Sequence, residues 1–142
     1  MSTITAPSGL ELTRVYHFSA GHRLEHPALS AAENARLYGP CATPHGHNYY
    51  VEVTVSGTPD PLTGMLMDVA HLDAVVERAV IRRVDHQTLE TVPELDGIVT
   101  TGEGLARAFW QVLAGALGPF GLRQVTVVET AKNCFEYWGG EA

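Results

Sequence analysis

The chain has 142 residues, 45% of them hydrophobic and 18% charged, which is enough for one globular domain with its own core and calls for no second one. Its net charge of -7, from 9 Lys+Arg against 16 Asp+Glu, repels polyanions and argues against nucleic acid as a partner; a small anionic substrate could still be gathered locally by cations or a metal. No apolar run reaches the about 18 residues of a bilayer span and the first ten residues lack a signal pattern, so a cytoplasmic protein with no membrane attachment and with Cys41 and Cys134 as free thiols is expected.

Residues 1–10 read as a flexible extension before the first strand, predicted over Leu12 to His22. Alternation there puts Tyr16, Phe18, Ala20 and His22 on one face and His17 and Ser19 on the other. Leu24 to Pro44 reads as a long loop with one short helical turn near Ser30 to Leu37, and loops of that length are usually functional or mobile. A second strand, about His47 to Ser56, alternates Tyr49, Val51, Val53 and Val55 against polar neighbours, and His45 and His47 continue its apolar face. After a turn over Gly57 to Gly64, Met65 to Asp68 reads as a short return strand. A helix over Ala70 to Arg83 follows, its apolar stripe running through Val69, Leu72, Val76, Ala79, Val80 and Arg83. The stripe Leu105, Phe109, Val112, Leu113, Ala116 and Leu117 predicts a second helix that ends at Gly118-Pro119, and strands over Gln124 to Glu129 and Cys134 to Trp138 close the chain. Two strands, two helices and two strands make an α+β fold with helices on one face of an antiparallel sheet.

His45-Gly46-His47 aims two imidazoles the same way on an extended chain, and His22 ends another strand on its apolar face. Three imidazoles meeting at one point make a zinc site with an open fourth position, the pattern of a catalytic metal; taken singly, each is as readily a hydrogen-bonded histidine. His17, His26 and His71 read as surface residues. Cys41, four residues before His45, is either a thiolate base, nucleophile or fourth ligand beside a dication, or a loop cysteine with no task. Asp85-His86 at a helix end is either a proton-transfer pair or a solvated one. Glu129 interrupts an apolar strand, facing water or a group with paired N–H donors. Thr100-Thr101-Gly102-Glu103 fits a helix-starting capping box in which Glu103 closes back on Thr100.

The motifs appear in a fixed order: Phe18-Ser19-Ala20-Gly21-His22-Arg23-Leu24, Cys41, His45-Gly46-His47-Asn48-Tyr49, Gly64-Met65-Leu66-Met67-Asp68, Val84-Asp85-His86, Thr101-Gly102-Glu103, Glu129-Thr130, then Asn133 and Tyr137. From about Val15 to Gly140 the chain resembles the 6-pyruvoyl-tetrahydropterin synthase family, which includes the 6-carboxy-tetrahydropterin synthases of deazapurine (queuosine) biosynthesis. The resemblance implies a tunnelling fold, in which ββααββ subunits join their sheets into barrels, typically as a homohexamer. It implies a zinc-dependent lyase acting on 7,8-dihydroneopterin triphosphate, with His22, His45 and His47 on Zn2+. Cys41 would be the catalytic base, and Asp85 with His86 would complete a proton relay, that pair coming from a neighbouring subunit. Glu129 would anchor the pterin, with Thr101 and Glu103 lining the same pocket. The chain departs from the family pattern where Thr100 replaces a proline and Gly104 an asparagine. Three residues separate Cys41 from His45, as in the carboxy branch, while Ser19 to Leu24 and Asn133 to Gly139 resemble the pyruvoyl branch. The product is therefore 6-pyruvoyl- or 6-carboxy-tetrahydropterin. The rivals are a pterin- or metal-binding homologue without catalysis and an aldolase-type cleavage of dihydroneopterin.

Overall fold

A computed structural model describes residues 9–118 and 121–140. The expected N-terminal extension lies mostly outside these residues, as does Pro119. Strand β1 (Glu11–His22) pairs antiparallel with β2 (His45–Ser56) along its whole length. Strand β3 (Gly121–Thr130) lies on the other side of β2, and β4 (Asn133–Tyr137) completes a four-stranded sheet in the order β1-β2-β3-β4. Tyr16, Phe18, Tyr49, Val51, Val53, Val55, Val125 and Val127 are buried from one face of this sheet, as alternation requires of a sheet with one covered side. On the other face Val15 and Tyr50 remain exposed.

The covered face carries the helices that follow β2. Helix α1 (Ala31–Tyr38) sits in the loop between β1 and β2 and starts with a complete capping box, Ser30 Oγ accepting from the Glu33 N–H and Glu33 Oε1 from the Ser30 N–H. Helix α2 (Val69–Val76) is capped by Asp68 and runs through a π turn (Glu77–Ile81) into the short α3 (Arg82–Val84). The wide turn moves the buried stripe by a residue, from the expected Val76, Val80 and Arg83 to Val76, Val80, Ile81 and Val84. Arg83 consequently faces outward and pairs with Glu94. Helix α4 (Gly102–Leu117) lays Leu105, Ala106, Phe109, Leu113 and Leu117 on the sheet, where Phe109 meets Phe18 edge-on with ring centroids 5.9 Å apart. Gly118, at φ 61, ends it.

Two local expectations fail. Met65 to Asp68 forms no strand: Asp60 accepts from Leu62, Thr63 and Gly64 N–H groups, so the segment folds on itself as a turn that feeds the Asp68 cap. The helix cap before α4 is Thr101, whose Oγ1 accepts from the Gly104 N–H at 3.1 Å. Starting one residue later than expected places Glu103 outside the capping-box position, and Thr100 turns inward instead, almost fully buried.

Candidate active site

The register of β1 against β2 sets His22 opposite His45 and Ala20 opposite His47, so the three imidazoles lie together at one end of the covered face. Their ring centroids are 4.5 to 5.2 Å apart, and one candidate ligand atom from each falls within 4.8 Å of the others. Among the described residues this is the one such group of histidine, cysteine or carboxylate side chains. The donor set suits zinc, because two of the rings have their other nitrogen already committed. His22 Nδ1 lies 2.9 Å from the Thr100 carbonyl, and His45 Nδ1 lies 2.7 Å from that of Thr43. A carbonyl only accepts, so both Nδ1 atoms carry the proton and both Nε2 atoms present the lone pair a metal would take. Burial, then the neighbouring His45 imidazole, hold His22 below the ordinary histidine pKa, and burial does the same for His47. Neutral rings are the ligand form.

Tyr49, fully buried two residues along the same strand face, brings its hydroxyl within 3.3 Å of His22 Nε2. Burial pushes its phenol well above the usual value, so it stays protonated. Its i, i+2, i+4 relation to His45 and His47 marked it as a neighbour of the site in the sequence. Thr100 and Thr43 carry no such mark.

Cys41 lies in a 3-10 turn (Gly39–Ala42), its side chain exposed. Its carbonyl accepts from the Leu24 N–H at 2.7 Å, which ties the turn to the chain two residues beyond His22. Buried Asn34 supports this loop, its Oδ1 accepting from the His26 N–H and its Nδ2 donating to the carbonyls of His26 and Leu29.

Asp85 and His86 follow α3 and line the edge of β1 that faces away from β2. Asp85 Oδ1 accepts from the Ser19 N–H at 2.9 Å and lies 3.0 Å from His86 Nδ1, while the His86 N–H donates to the Ser19 carbonyl. The Ser19 N–H, and then His86, hold the Asp85 carboxyl below the usual range. With Nδ1 turned to the carboxylate, His86 Nε2 is left to exchange a proton. His86 adopts φ 61, a conformation rare outside glycine, where the chain turns from α3 to run along β1. His86 shares an open cleft of about 680 Å³ with His45, His47, Ser19 and Asn48. A smaller cleft of about 330 Å³ is lined by His22, His45, Arg23 and Glu90.

Glu129 occupies a bulge in β3: Val128 pairs with Cys134 and Thr130 with Asn133, leaving Glu129 without a partner on β4. Bulges re-aim side chains; the charge of the Glu129 carboxylate opposes the lowering that burial imposes on His22 and His47, and adds to the raising that burial imposes on Tyr49. The Asn133 amide is 3.5 Å from its Oε1. Thr101 starts α4, and Glu103 in its first turn is exposed. Of the other histidines, His17 stands on the outer face against Tyr50, His26 accepts from the Ala28 N–H, and His71 lies on α2.

Fold and site together define an α+β protein with a candidate three-histidine metal centre beside a carboxylate-imidazole pair. The sequence model of 6-pyruvoyl tetrahydropterin synthase matches residues 11–140, and the chain belongs to that family. It is 42% identical over 129 residues to the 6-pyruvoyl tetrahydrobiopterin synthase of Dictyostelium discoideum, covering 90% of this chain and 95% of that protein. The human protein of the same name is 42% identical over 132 residues, covering 91% of each. The 6-carboxy-5,6,7,8-tetrahydropterin synthase of Aquifex aeolicus is 28% identical over 157 residues, covering 89% and 96%. The structure of Caenorhabditis elegans 6-pyruvoyl tetrahydropterin synthase superposes with a TM-score of 0.87 at 37% identity, covering 92% of this chain and 96% of that one.

Proposed function

We propose that the protein is a zinc-dependent lyase that converts 7,8-dihydroneopterin triphosphate to 6-pyruvoyl-tetrahydropterin with elimination of triphosphate. The observation that carries this reading is the convergence of His22, His45 and His47 at the end of the covered sheet face, two of them with Nδ1 committed to carbonyls. Zinc bound there supplies Lewis acidity, which makes C–H bonds on the substrate side chain acidic enough for a protein base. Cys41 is that base. Asp85 keeps the His86 imidazole oriented, so that Nε2 passes the proton on. Glu129 accepts from the paired N–H donors of the pterin ring, a charge-assisted contact that fixes both position and identity. Thr101 Oγ1 accepts from the Gly104 N–H and keeps its own proton to donate to the substrate, with Glu103 beside it.

Residues 1–142 form one pterin synthase domain in this reading, and the subunits join sheets into barrels as a homohexamer with sites between subunits. An edge strand needs covering, and the outer side of β4 has no strand partner among the described residues. The short Cys41 to His45 spacer favours a second reading, 6-carboxy-tetrahydropterin as product from the same substrate; the higher identity to pyruvoyl synthases favours the first. Mass spectrometry of the product made from dihydroneopterin triphosphate separates them. A pyruvoyl product supports the proposal, a carboxy product moves the chain to the other branch, and pterin binding with no triphosphate release overturns the enzymatic reading.

A further inference from the structure

Glu90 is absorbed by none of the roles above, yet both of its carboxylate oxygens are engaged beside the three histidines. Oε2 accepts from the Thr100 hydroxyl at 2.7 Å, and Oε1 accepts from the Arg23 N–H at 3.0 Å. Thr100 in turn touches His22 twice, its carbonyl oxygen 2.9 Å and its Oγ1 3.2 Å from Nδ1.

The donor logic of this chain of contacts is closed. A hydroxyl has one proton, and the carboxylate of Glu90 takes it. Thr100 Oγ1 can then only accept from His22 Nδ1–H, as the Thr100 carbonyl does. Without Glu90 the hydroxyl could turn its proton toward Nδ1, which would favour the tautomer that has its lone pair on the wrong nitrogen for the metal. Glu90 also links two segments far apart in sequence, the residue after His22 at the end of β1 and the residue before the cap of α4. The ring of His22 lies between them, almost fully buried.

We propose that Glu90 is a positioning residue for the metal centre, acting through the Thr100 hydroxyl to fix the tautomer and orientation of His22. The inference rests on the reading of His22, His45 and His47 as zinc ligands. Outer-shell partners of ligating histidines of this kind typically contribute 10- to 100-fold in metal affinity. The Arg23 contact supports the same end by holding the chain just past His22.

The test is zinc affinity, measured by chelator competition on the full chain for the wild type, Glu90→Ala, Glu90→Gln, Thr100→Val and the double variant Glu90→Ala/Thr100→Val. The melting of each metal-free protein and the visible spectrum of its cobalt form are recorded alongside. Glu90→Ala is expected to weaken zinc binding at least about tenfold. Glu90→Gln should recover part of that loss, because an amide oxygen still accepts from the Thr100 hydroxyl. In the Thr100→Val background, removing Glu90 should cost little more, since the route to His22 is already cut. Equal affinity in wild type and Glu90→Ala overturns the proposal while leaving the metal centre standing. So does a loss from Glu90→Ala that is undiminished in the Thr100→Val background, which would mean general loosening of the fold. A wild type that binds no zinc overturns the metal reading and this one with it.

Discussion

At the scale of single residues, the proposed function gives His22, His45 and His47 the holding of the metal and leaves proton transfer to Cys41, Asp85 and His86. The Nδ1 contacts of His22 and His45 are made by backbone carbonyls of Thr100 and Thr43, acceptors that no side-chain substitution removes directly. His45→Ala is expected to bring zinc content from about one per chain to near zero by elemental analysis, with loss of triphosphate release. Cys41→Ala should abolish release while zinc content stays at the wild-type level, because the exposed thiol is not needed to complete a three-histidine centre. Glu129→Gln is expected to raise KM for the pterin substrate by one to two orders of magnitude, the loss of a charged hydrogen-bond acceptor amounting to about 1.5–3 kcal/mol, read from steady-state kinetics. All three positions were legible in the sequence as residue types in order. The contacts of Thr100 and Glu90 were not, since the threonine reads as a helix cap and the glutamate as a surface residue until folding brings them to His22.

At the scale of elements, alternation along β1 and β2 was readable because side-chain direction in a strand is set locally, residue by residue. Helix boundaries depended on more. The π turn between α2 and α3 shifts the buried stripe to Val84, and no periodicity within the segment distinguishes it from a regular helix. The start of α4 turned on which of two adjacent threonines capped it, and the choice of Thr101 sends Thr100 inward. The same geometry explains a departure from the family pattern. A Cβ at Gly104 would stand 2.3 Å from the Val99 carbonyl, so an asparagine there requires the backbone before α4 to move. Gly104→Asn is expected to destabilise the protein by about 1–3 kcal/mol, seen as a lowered Tm by calorimetry. Zinc affinity should fall with it, because the displaced segment carries Thr100.

At the scale of the whole molecule, one ion pair joins the sheet to the helical layer at the end away from the histidines. Arg14 makes a two-pronged contact with Asp73 on α2, and the Tyr16 hydroxyl donates to the same carboxylate at 2.7 Å. Arg14 first, then Tyr16, hold the Asp73 carboxyl below its usual value. A carboxyl with a depressed folded pKa stabilises the protein above its unfolded value of about 3.9, and that contribution is lost as pH falls through the folded value. The Tm gap between wild type and Asp73→Asn should therefore be full at pH 7 and close as the pH is lowered below about 4, followed by scanning fluorimetry. No helix among the described residues is long and apolar enough to cross a membrane. The exposed Val15 and Tyr50 on the outer face, and the edge of β4 that has no strand partner among the described residues, are the surfaces that the proposed barrel assembly would occupy.

The sequence by itself determined the strand faces, the presence of two helical stripes against them and the order of the candidate site residues along the chain, because these depend on local periodicity and on residue chemistry. Tertiary structure decided what holds those residues. His22 and Thr100 meet across 78 positions of chain, Ser19 and Asp85 across 66, and Glu129 sits in a bulge that exists only once β3 and β4 pair. Such contacts come from the register and packing of separate segments, which local sequence patterns do not encode.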